Sequence, residues 1–220
     1  MIKLSRLLAF LGLVGVGLPT ASNATLIQNG SFETGVNPPT SGYQAIFAVD
    51  SDANDITGWV VSAGRIDWIS ASYRTPKDLS RSVELDGGGG AISQTFATSP
   101  GHSYKVNFSL LYGFGTDYGW GNKVDKVDVS LGGSTFHEVM SQLGGRWYDF
   151  SETLLATSAS STLTFTCVGL NDIYNSPFLD AVTVTDVTPV APVPEPSTYI
   201  AGTLMLLPFG VRFIRALRRK

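Results

Sequence analysis

The clearest strand pattern of the chain is Tyr104-Lys105-Val106-Asn107-Phe108-Ser109-Leu110, where an apolar residue stands at every second position. Successive side chains of a strand point to opposite faces, so this alternation predicts a strand with one face in a hydrophobic core. The same period recurs at 127–131, 163–167 and 182–184. No segment of 25–187 holds a convincing 3.6-residue apolar period, which argues against amphipathic helices.

Shorter strands are predicted around these four, with glycine and proline between them as turns require. They lie at 26–28, 46–49, 59–61, 66–69, 82–85, 91–96, 136–139 and 146–150. Many short strands, each with one apolar face, predict an all-β domain of two packed antiparallel sheets, a β-sandwich of the jelly-roll type. The glycines at 87–90 predict a hairpin, with a flexible binding loop as the alternative.

The first 24 residues have the three parts of a secretory leader. Lys3 and Arg6 precede an apolar run over 7–18, and small residues end at Ala24. This order predicts a signal peptide, cut by signal peptidase after Ala24; an uncleaved anchor is the alternative. We therefore expect an exported protein whose folded domain occupies 25–187.

The C-terminal end, VPEPSTYIAGTLMLLPFGVRFIRALRRK over 193–220, also has three parts. Its prolines keep a linker over 188–197 extended, because proline fixes φ and lacks an N–H. The apolar run over 198–214 predicts a transmembrane helix, although it is shorter than the usual span of about 20 residues. The basic end, 215–220, is expected to stay in the cytoplasm.

The order of Pro194, Glu195 and Pro196, an apolar run and a basic end resembles the PEP-CTERM sorting signal. That resemblance implies recognition and removal of the tail by an exosortase, as in exopolysaccharide-producing Gram-negative bacteria. It also implies transient anchoring in the inner membrane on the way to the cell envelope, the cell surface or the extracellular matrix. A simple membrane anchor is the alternative.

The charge of the chain is unevenly distributed. Seven of its 15 Lys and Arg residues lie outside 25–187, but only one of its 18 Asp and Glu residues does, so the domain carries about −9. An acidic surface argues against nucleic acid as a partner and is compatible with calcium, which takes oxygen ligands. Cys167, the only cysteine, excludes an internal disulfide and reads as a small buried hydrophobe.

Several motifs in order resemble a known family. They are the opening Asn29-Gly30-Ser31-Phe32-Glu33, then Gly58-Trp59, Ser82-Val83-Glu84-Leu85-Asp86-Gly87, Gly90-Ala91-Ile92-Ser93-Gln94-Thr95-Phe96 and the closing Pro177-Phe178-Leu179-Asp180-Ala181-Val182. The set resembles the choice-of-anchor C family, which is related to the DUF642 cell-wall proteins and to carbohydrate-binding modules with a galactose-binding-like jelly roll. Ala181 departs from the pattern, because the family usually has a second Asp or an Asn there.

The resemblance also implies a structural calcium ion near the first and last strands. Glu33 and Asp180 would be its side-chain ligands, together with backbone carbonyls. The alternative is that both are turn or cap residues that form hydrogen bonds without a metal. The acidic run at 50–55 lacks the glycine and the glutamate of an EF-hand loop and predicts only a solvated loop.

A glycine-rich stretch at 112–122 holds four aromatic residues, which a loop need not have. Sugar rings stack on aromatic planes, so Tyr112, Phe114, Tyr118 and Trp120 are the predicted polysaccharide-binding residues. The alternative is that they cover a sheet edge. Trp59 and Trp147 fall at strand positions and are predicted to lie in the core.

Catalysis finds little support in the sequence. Neither His102 nor His137 has a second ligand at metal-binding spacing, and there is no nucleophile-elbow or phosphate-binding motif. We therefore expect a non-enzyme that binds carbohydrate, an exopolysaccharide or an envelope glycan. The alternatives are a structural or adhesive matrix protein without a specific ligand, and an unrecognised hydrolase that uses two carboxylates.

Overall fold

The structure is a computed structural model that describes residues 25–86, 88–112, 126–139, 145–168 and 176–189. The predicted leader, most of the predicted linker with its Pro-Glu-Pro motif, and the predicted transmembrane helix lie outside these residues. Within the described ranges every regular element is a strand, and none of the described segments is a helix long and apolar enough to cross a membrane. The all-β prediction is confirmed there.

One antiparallel sheet has six strands. Their spatial order is β1 (Tyr43–Phe47), β3 (Arg65–Ser70), β4 (Arg81–Leu85), β11 (Phe178–Asp186), β6 (Ser103–Leu111) and β9 (Trp147–Leu155). The last strand of the chain therefore lies in the middle of this sheet. It holds the early strands against the later ones.

The second antiparallel sheet has five strands. Their order is β2 (Val60–Ala63), β5 (Ala91–Ala97), β10 (Ser160–Val168), β7 (Lys126–Leu131) and β8 (Ser134–Val139). The two sheets pack face to face, which confirms the predicted sandwich.

The core lies between the sheets and follows the two-residue period. On β6, Tyr104, Val106, Phe108 and Leu110 are buried in it, and the Phe108 ring centroid lies 5.2 Å from that of Phe165 on the opposite sheet. Burying each such side chain contributes about 1.5–3 kcal/mol. The alternation in the sequence therefore identified the face that holds the sheets together.

Residues 26–28 do not form the predicted strand. The Leu26 N–H donates to the Val184 carbonyl, and the Gln94 side-chain amide bonds both the N–H and the carbonyl of Gln28 at 2.7 and 2.9 Å. A side chain thus replaces the strand ladder over this segment. The prediction was wrong because an apolar pattern does not distinguish these two ways of satisfying the backbone.

The predicted hairpin at 87–90 is also wrong. β4 and β5, which flank it, belong to different sheets, so the turn is a crossover between the layers. A Cβ at Gly90 would lie 2.1 Å from the Arg65 carbonyl oxygen, so the crossover needs glycine there. Glycine is needed at position 90 because the backbone there passes close to that of Arg65, and not because a hairpin turn requires its backbone torsions.

The remaining predicted strands are present with shifted ends. The segment 182–184 gains residues at both ends in β11, and 146–150 becomes β9 and continues to Leu155 along β6. Alternation is weak in this extension because β9 is an edge strand and its outward residues are exposed.

Candidate functional site

The outer face of the six-stranded sheet, the side turned away from the five-stranded sheet, carries a row of non-core side chains. Residues directly opposite each other in an antiparallel pair share a face. The pairing of Asp67 with Glu84, of Glu84 with Phe178 and of Phe178 with Leu111 therefore aligns them on this side. The row runs across the sheet from charged residues to apolar ones.

Three exposed aromatic rings border the charged end of the row. Tyr43 and Phe47 project from β1, and Tyr73 follows β3 and meets Tyr43 edge to face at 5.4 Å between centroids. The exposed fractions are 51%, 49% and 47%. A single exposed aromatic side chain is ordinary, but three that are about half exposed and lie together form an open aromatic surface.

Arg65 and Asp67 form the polar floor between these rings. The guanidinium donates to both carboxylate oxygens of Asp67, at 2.8 and 2.6 Å, and lies 3.7 Å from Asp86. It also sits 5.8 Å from the centroid of the Phe47 ring. Burial raises the pKa of Asp67 against the effect of Arg65. The arrangement presents fixed donors and acceptors beside aromatic planes.

Glu84 is the titratable group at the centre of this floor. Burial, with Asp67 and Asp86 nearby, raises its pKa to about 8, against the smaller opposing effect of Arg74 and Arg65. It is only partly exposed, and its carboxyl makes no hydrogen bond within the described part of the chain. Glu84 is therefore an available polar group. We call Tyr43, Phe47, Arg65, Asp67, Tyr73 and Glu84 the outer-face cluster.

The apolar end of the row is covered by residues 71–80, which we call the strap. Phe178, Leu111 and Ile69 form a small second core beneath it. The Arg74 guanidinium lies 5.0 Å from the Phe178 ring centroid, and the Trp147 indole N–H donates to the Thr75 carbonyl at 3.0 Å. The strap thus covers the apolar end of the outer face and leaves the cluster open beside it.

Asp180 anchors the middle of the strap. Its carboxylate accepts the N–H groups of Lys77 at 2.8 Å, Asp78 at 2.9 Å and Ala181 at 2.7 Å. The side chain is fully buried, and burial raises its pKa to about 7 although these N–H bonds act in the opposite direction. Lys77 also pairs with Asp149 at 2.7 Å, which with a second bond from Ser109 keeps the pKa of Asp149 low.

Glu33 anchors the end of the strap. One carboxylate oxygen accepts the N–H groups of Ser80 at 2.8 Å and Arg81 at 2.7 Å, and the other accepts the Arg81 guanidinium at 3.0 Å. The Arg81 guanidinium also lies 5.9 Å from the Trp68 ring centroid. Glu33 thus ties the opening motif to the start of β4.

The two predicted calcium ligands are therefore both brought to the strap, but their oxygens face N–H donors. Calcium takes six to eight oxygen ligands, and a carboxylate that accepts N–H groups has little room for a cation at the same oxygens. Among the described residues, no group of three or more His, Cys, Asp and Glu is placed to hold a metal ion. As arranged, Glu33 and Asp180 do not fit a calcium ion.

Of the predicted polysaccharide-binding residues, only Tyr112 lies in the described part of the chain. Its ring is partly buried and packs against the main core. Phe114, Tyr118 and Trp120 lie outside the described residues. The four-residue site therefore stays a prediction.

The two tryptophans predicted for the core differ. Trp59 is buried, and its indole N–H donates to the Asn29 carbonyl at 3.0 Å. Trp147 is on the outer face, partly exposed against the second core, so its assignment to the main core was wrong. Its pairing with Leu111 puts it on the side that Leu110 does not face, and sequence alone does not reveal that register.

Both histidines pair with aspartates at the surface, His102 with Asp186 at 2.6 Å and His137 with Asp128. Each pair is local to its own part of the sandwich, and neither lies in the outer-face cluster. The two histidines therefore add no titratable group to the outer-face cluster.

Sequence reasoning missed the outer-face cluster. Tyr43, Tyr73 and Glu84 are distant in the chain, and their positions depend on the pairing of β1, β3 and β4. One signal was present, because Glu84 sits between buried Val83 and Leu85 and so had to face away from the main core.

Comparison with known proteins finds one relative by sequence and several similar folds. Halomucin of Haloquadratum walsbyi is 32% identical over 161 residues, which are 70% of this chain but only 2% of halomucin. The Stig cyclase FisC of Fischerella sp. TAU has a similar fold with a TM-score of 0.51 at 14% identity, covering 76% of this chain and 98% of that one. An arabinose-bound α-L-arabinofuranosidase has a TM-score of 0.52 at 12% identity, covering 74% of this chain and 26% of that one.

These structural likenesses concern the fold alone. A family model covers almost the whole sandwich, from residue 25 to residue 185, and it ends inside β11, the strand that joins the two halves of the six-stranded sheet. The chain spans about 2% of the length of halomucin. The chain belongs to the family described as "Protein of unknown function (DUF642)".

Proposed function

We propose that this protein is an exported, non-enzymatic carbohydrate-binding protein and that the outer-face cluster is its binding surface. The observation that carries the proposal is the three exposed rings of Tyr43, Phe47 and Tyr73 beside Glu84, which is partly exposed and whose carboxyl has no hydrogen bond to any residue that the structure describes. The apolar faces of sugar rings stack on aromatic planes, and polar groups beside those planes take the hydroxyls.

The polar floor suits an uncharged polysaccharide. Asp67 and Arg65 neutralise each other through two hydrogen bonds, and the raised pKa of Glu84 keeps it largely protonated near neutral pH. The floor therefore offers hydrogen bonds more than net charge. The ligand proposed here is an exopolysaccharide or an envelope glycan of the producing cell.

The test is glycan retention by the domain 25–187 on immobilised polysaccharides, including the producer's own. Replacing Tyr43 or Tyr73 by alanine should weaken binding about tenfold or more, which corresponds to about 1.4 kcal/mol for each ring. Tyr43→Phe keeps the ring and is the matched control. Retention unchanged in both alanine variants would contradict the proposed surface.

The same assay separates the outer-face cluster from the aromatic stretch at 112–120. Loss of binding in Trp120→Ala, with normal binding by Tyr43→Ala and Tyr73→Ala, would move the site to that stretch. The proposal for carbohydrate would then stand with a different surface.

A structural or adhesive matrix protein is the second candidate. It is favoured by the strap, which covers the apolar end of the outer face with a small core of its own. A folded domain that retains no glycan from the whole panel would support this function.

We also propose export through the leader, anchoring by the apolar run at 198–214 and sorting by an exosortase that reads Pro194, Glu195 and Pro196. Its support is the order of these segments in the sequence. Mass spectrometry of the mature protein should find Thr25 as the first residue and the apolar run removed. Cells without the exosortase should keep the full tail; an intact tail in normal cells would contradict sorting.

A further inference from the structure

We propose that Glu33, Asp180 and Arg81 hold the strap over the outer face without a divalent cation, and so do the work that the family resemblance assigns to calcium. The part of this inference that concerns the cation stands on geometry alone. The part that makes these residues positioning residues for glycan binding rests on the proposed function.

Three backbone N–H groups donate to the Asp180 carboxylate. Both of its carboxylate oxygens accept backbone N–H groups, from Lys77 and Asp78 at one oxygen and from Ala181 at the other. The side chain has no exposed surface through which a hydrated ion could reach those oxygens. A buried carboxylate needs such partners, and here the backbone supplies them.

Glu33 already has a cation. The Arg81 guanidinium lies 3.0 Å from one oxygen of Glu33, and both groups are largely covered. The other oxygen accepts two backbone N–H groups. A calcium ion between Glu33 and Asp180 would have to displace this guanidinium and the strap amides together.

Ala181 removes a further possible ligand. The sequence places alanine where the resembling family has an acid or an amide, and the residue has φ of 54° in an irregularity of β11. Its methyl group offers no oxygen. The two anchors of the strap together therefore have two carboxylates, one guanidinium and five amide donors in place of an oxygen cage.

The anchored strap carries Tyr73 and Arg74 toward the cluster. Ser31 adds a bond to Asp78 at 2.7 Å, so the opening motif, the last strand and the strap are tied at three points. Loss of either anchor should free the strap and displace the Tyr73 ring from Tyr43. Glu33 and Asp180 then act on glycan binding through position and not by contact.

The experiment uses the full chain in mild detergent at about pH 8, with calcium at about 10 mM or with a chelator. We expect the same Tm in both, within about 1 °C, and no saturable heat of calcium binding. A bound structural calcium would instead raise Tm by about 5–10 °C at 100-fold excess over Kd. That rise, absent from Asp180→Asn or Glu33→Gln, would overturn the inference.

Hydrogen exchange followed by mass spectrometry reports the positioning role. In Glu33→Gln and Asp180→Asn, amides of the strap should exchange at least about tenfold faster, while those of β7 and β10 keep their protection. Asp50→Asn is the matched control, because Asp50 lies in an exposed loop outside the strap. Unchanged strap protection in both variants would contradict the anchors.

If Asp180→Asn does not fold, hydrogen exchange in Glu33→Gln still tests the anchoring of the strap, and the calcium titration of the unmodified chain still tests the absence of a cation. Glycan retention is measured on the same variants as a separate result. Loss of retention together with faster strap exchange supports positioning. Absence of retention in the unmodified chain contradicts the proposed function and leaves the cation result intact.

Discussion

The surroundings of Glu84 disfavour the ionised form of its carboxyl group. It lies on the outer face between Asp67 and Asp86, and burial is the largest cause of its raised pKa of about 8. Arg65 could have offset this, but both of its nearest partners are the neighbouring aspartates. Ionising Glu84 therefore costs free energy in the folded state that it does not cost in the unfolded chain.

The first prediction follows from this difference. Because the folded state holds a proton on Glu84 that the unfolded state releases, the free energy of unfolding should fall as pH rises from about 4.5 to about 8. The contribution of Glu84 to stability is fully present below its pKa in the unfolded chain, and it is lost as pH rises through its pKa in the folded state. Glu84→Gln should be more stable than the unmodified domain at pH above 8, by about 2 kcal/mol after allowance for partial exposure.

Denaturant unfolding at several pH values measures the slope, and the difference between the two proteins isolates Glu84 from Asp180 and Asp67. Asp50→Asn, in an exposed loop, is the control and should leave the slope unchanged. A Glu84→Gln protein with the unmodified slope would show that Glu84 titrates normally.

At the residue scale the sequence predicted which side chains are buried far better than which ones meet. The period of β6 correctly assigned Val106 and Phe108 to the core. It could not bring Tyr73 beside Tyr43, because that contact depends on the register of β1 against β3 and on the path of the strap. A local sequence pattern is enough to predict which side chains are buried, whereas the residues of a site come together only through the pairing of distant strands.

Among the elements, the opening segment is held by hydrogen bonds of its own backbone and of the Asn29 side chain. Asn29 accepts the N–H groups of Glu33 and Thr34 at its side-chain oxygen, and the Phe32 carbonyl accepts the indole N–H of Trp68 at 2.8 Å. Gly30 passes so near β11 that its carbonyl accepts the Val182 N–H at 2.9 Å. The motif that suggested the family is therefore a packing device.

The second prediction concerns Gly30→Ala. A Cβ there would lie 1.9 Å from the Val182 carbonyl oxygen, and a backbone atom cannot move aside without disturbing β11. The free energy of unfolding should fall by about 3 kcal/mol, as expected for overpacking against a fixed neighbour.

Gly88→Ala is the matched control, because a Cβ there meets nothing nearer than Asp86 at 3.7 Å. Thermal unfolding of both variants gives the comparison. Equal stability of the two would mean that the opening segment is not held against β11 as described.

At this scale the sequence predicted that strands exist but not how they are ordered. Eleven of the twelve predicted segments became strands, since a two-residue period needs only local information. The order β1-β3-β4-β11-β6-β9 puts the last strand in the centre, and the glycines at 87–90 cross between layers where a hairpin was predicted. Strand order is decided by packing between distant segments, which no local pattern encodes.

The two ends of the whole domain lie together. The Leu26 N–H donates to the Val184 carbonyl, and the Val187 N–H donates to the Ser103 carbonyl, so both ends stand beside the last residues of β11. Glu84 pairs with Phe178, the first residue of that strand, and Phe47 lies one row farther on. At about 3.3 Å per residue, the cluster and the ends are separated by about 25 Å.

The third prediction is that this separation keeps the proposed binding surface accessible when the domain is attached through its C-terminal end. Cys167 is buried, so a cysteine added after Val187 can be coupled to a solid support selectively. Domain 25–187 attached in this way should retain glycan at the same capacity per molecule as the free domain shows in solution.

Attachment through Val49→Cys provides the opposite geometry, because Val49 is 89% exposed and follows Phe47 beside the cluster. Coupled there, the support covers the rings, and glycan capacity should fall at least about fivefold because the ligand cannot reach them. The reverse order of capacities would place the binding surface near the chain ends. Because both attached forms share one fold and one chemistry of coupling, the comparison reports the position of the site and not its integrity.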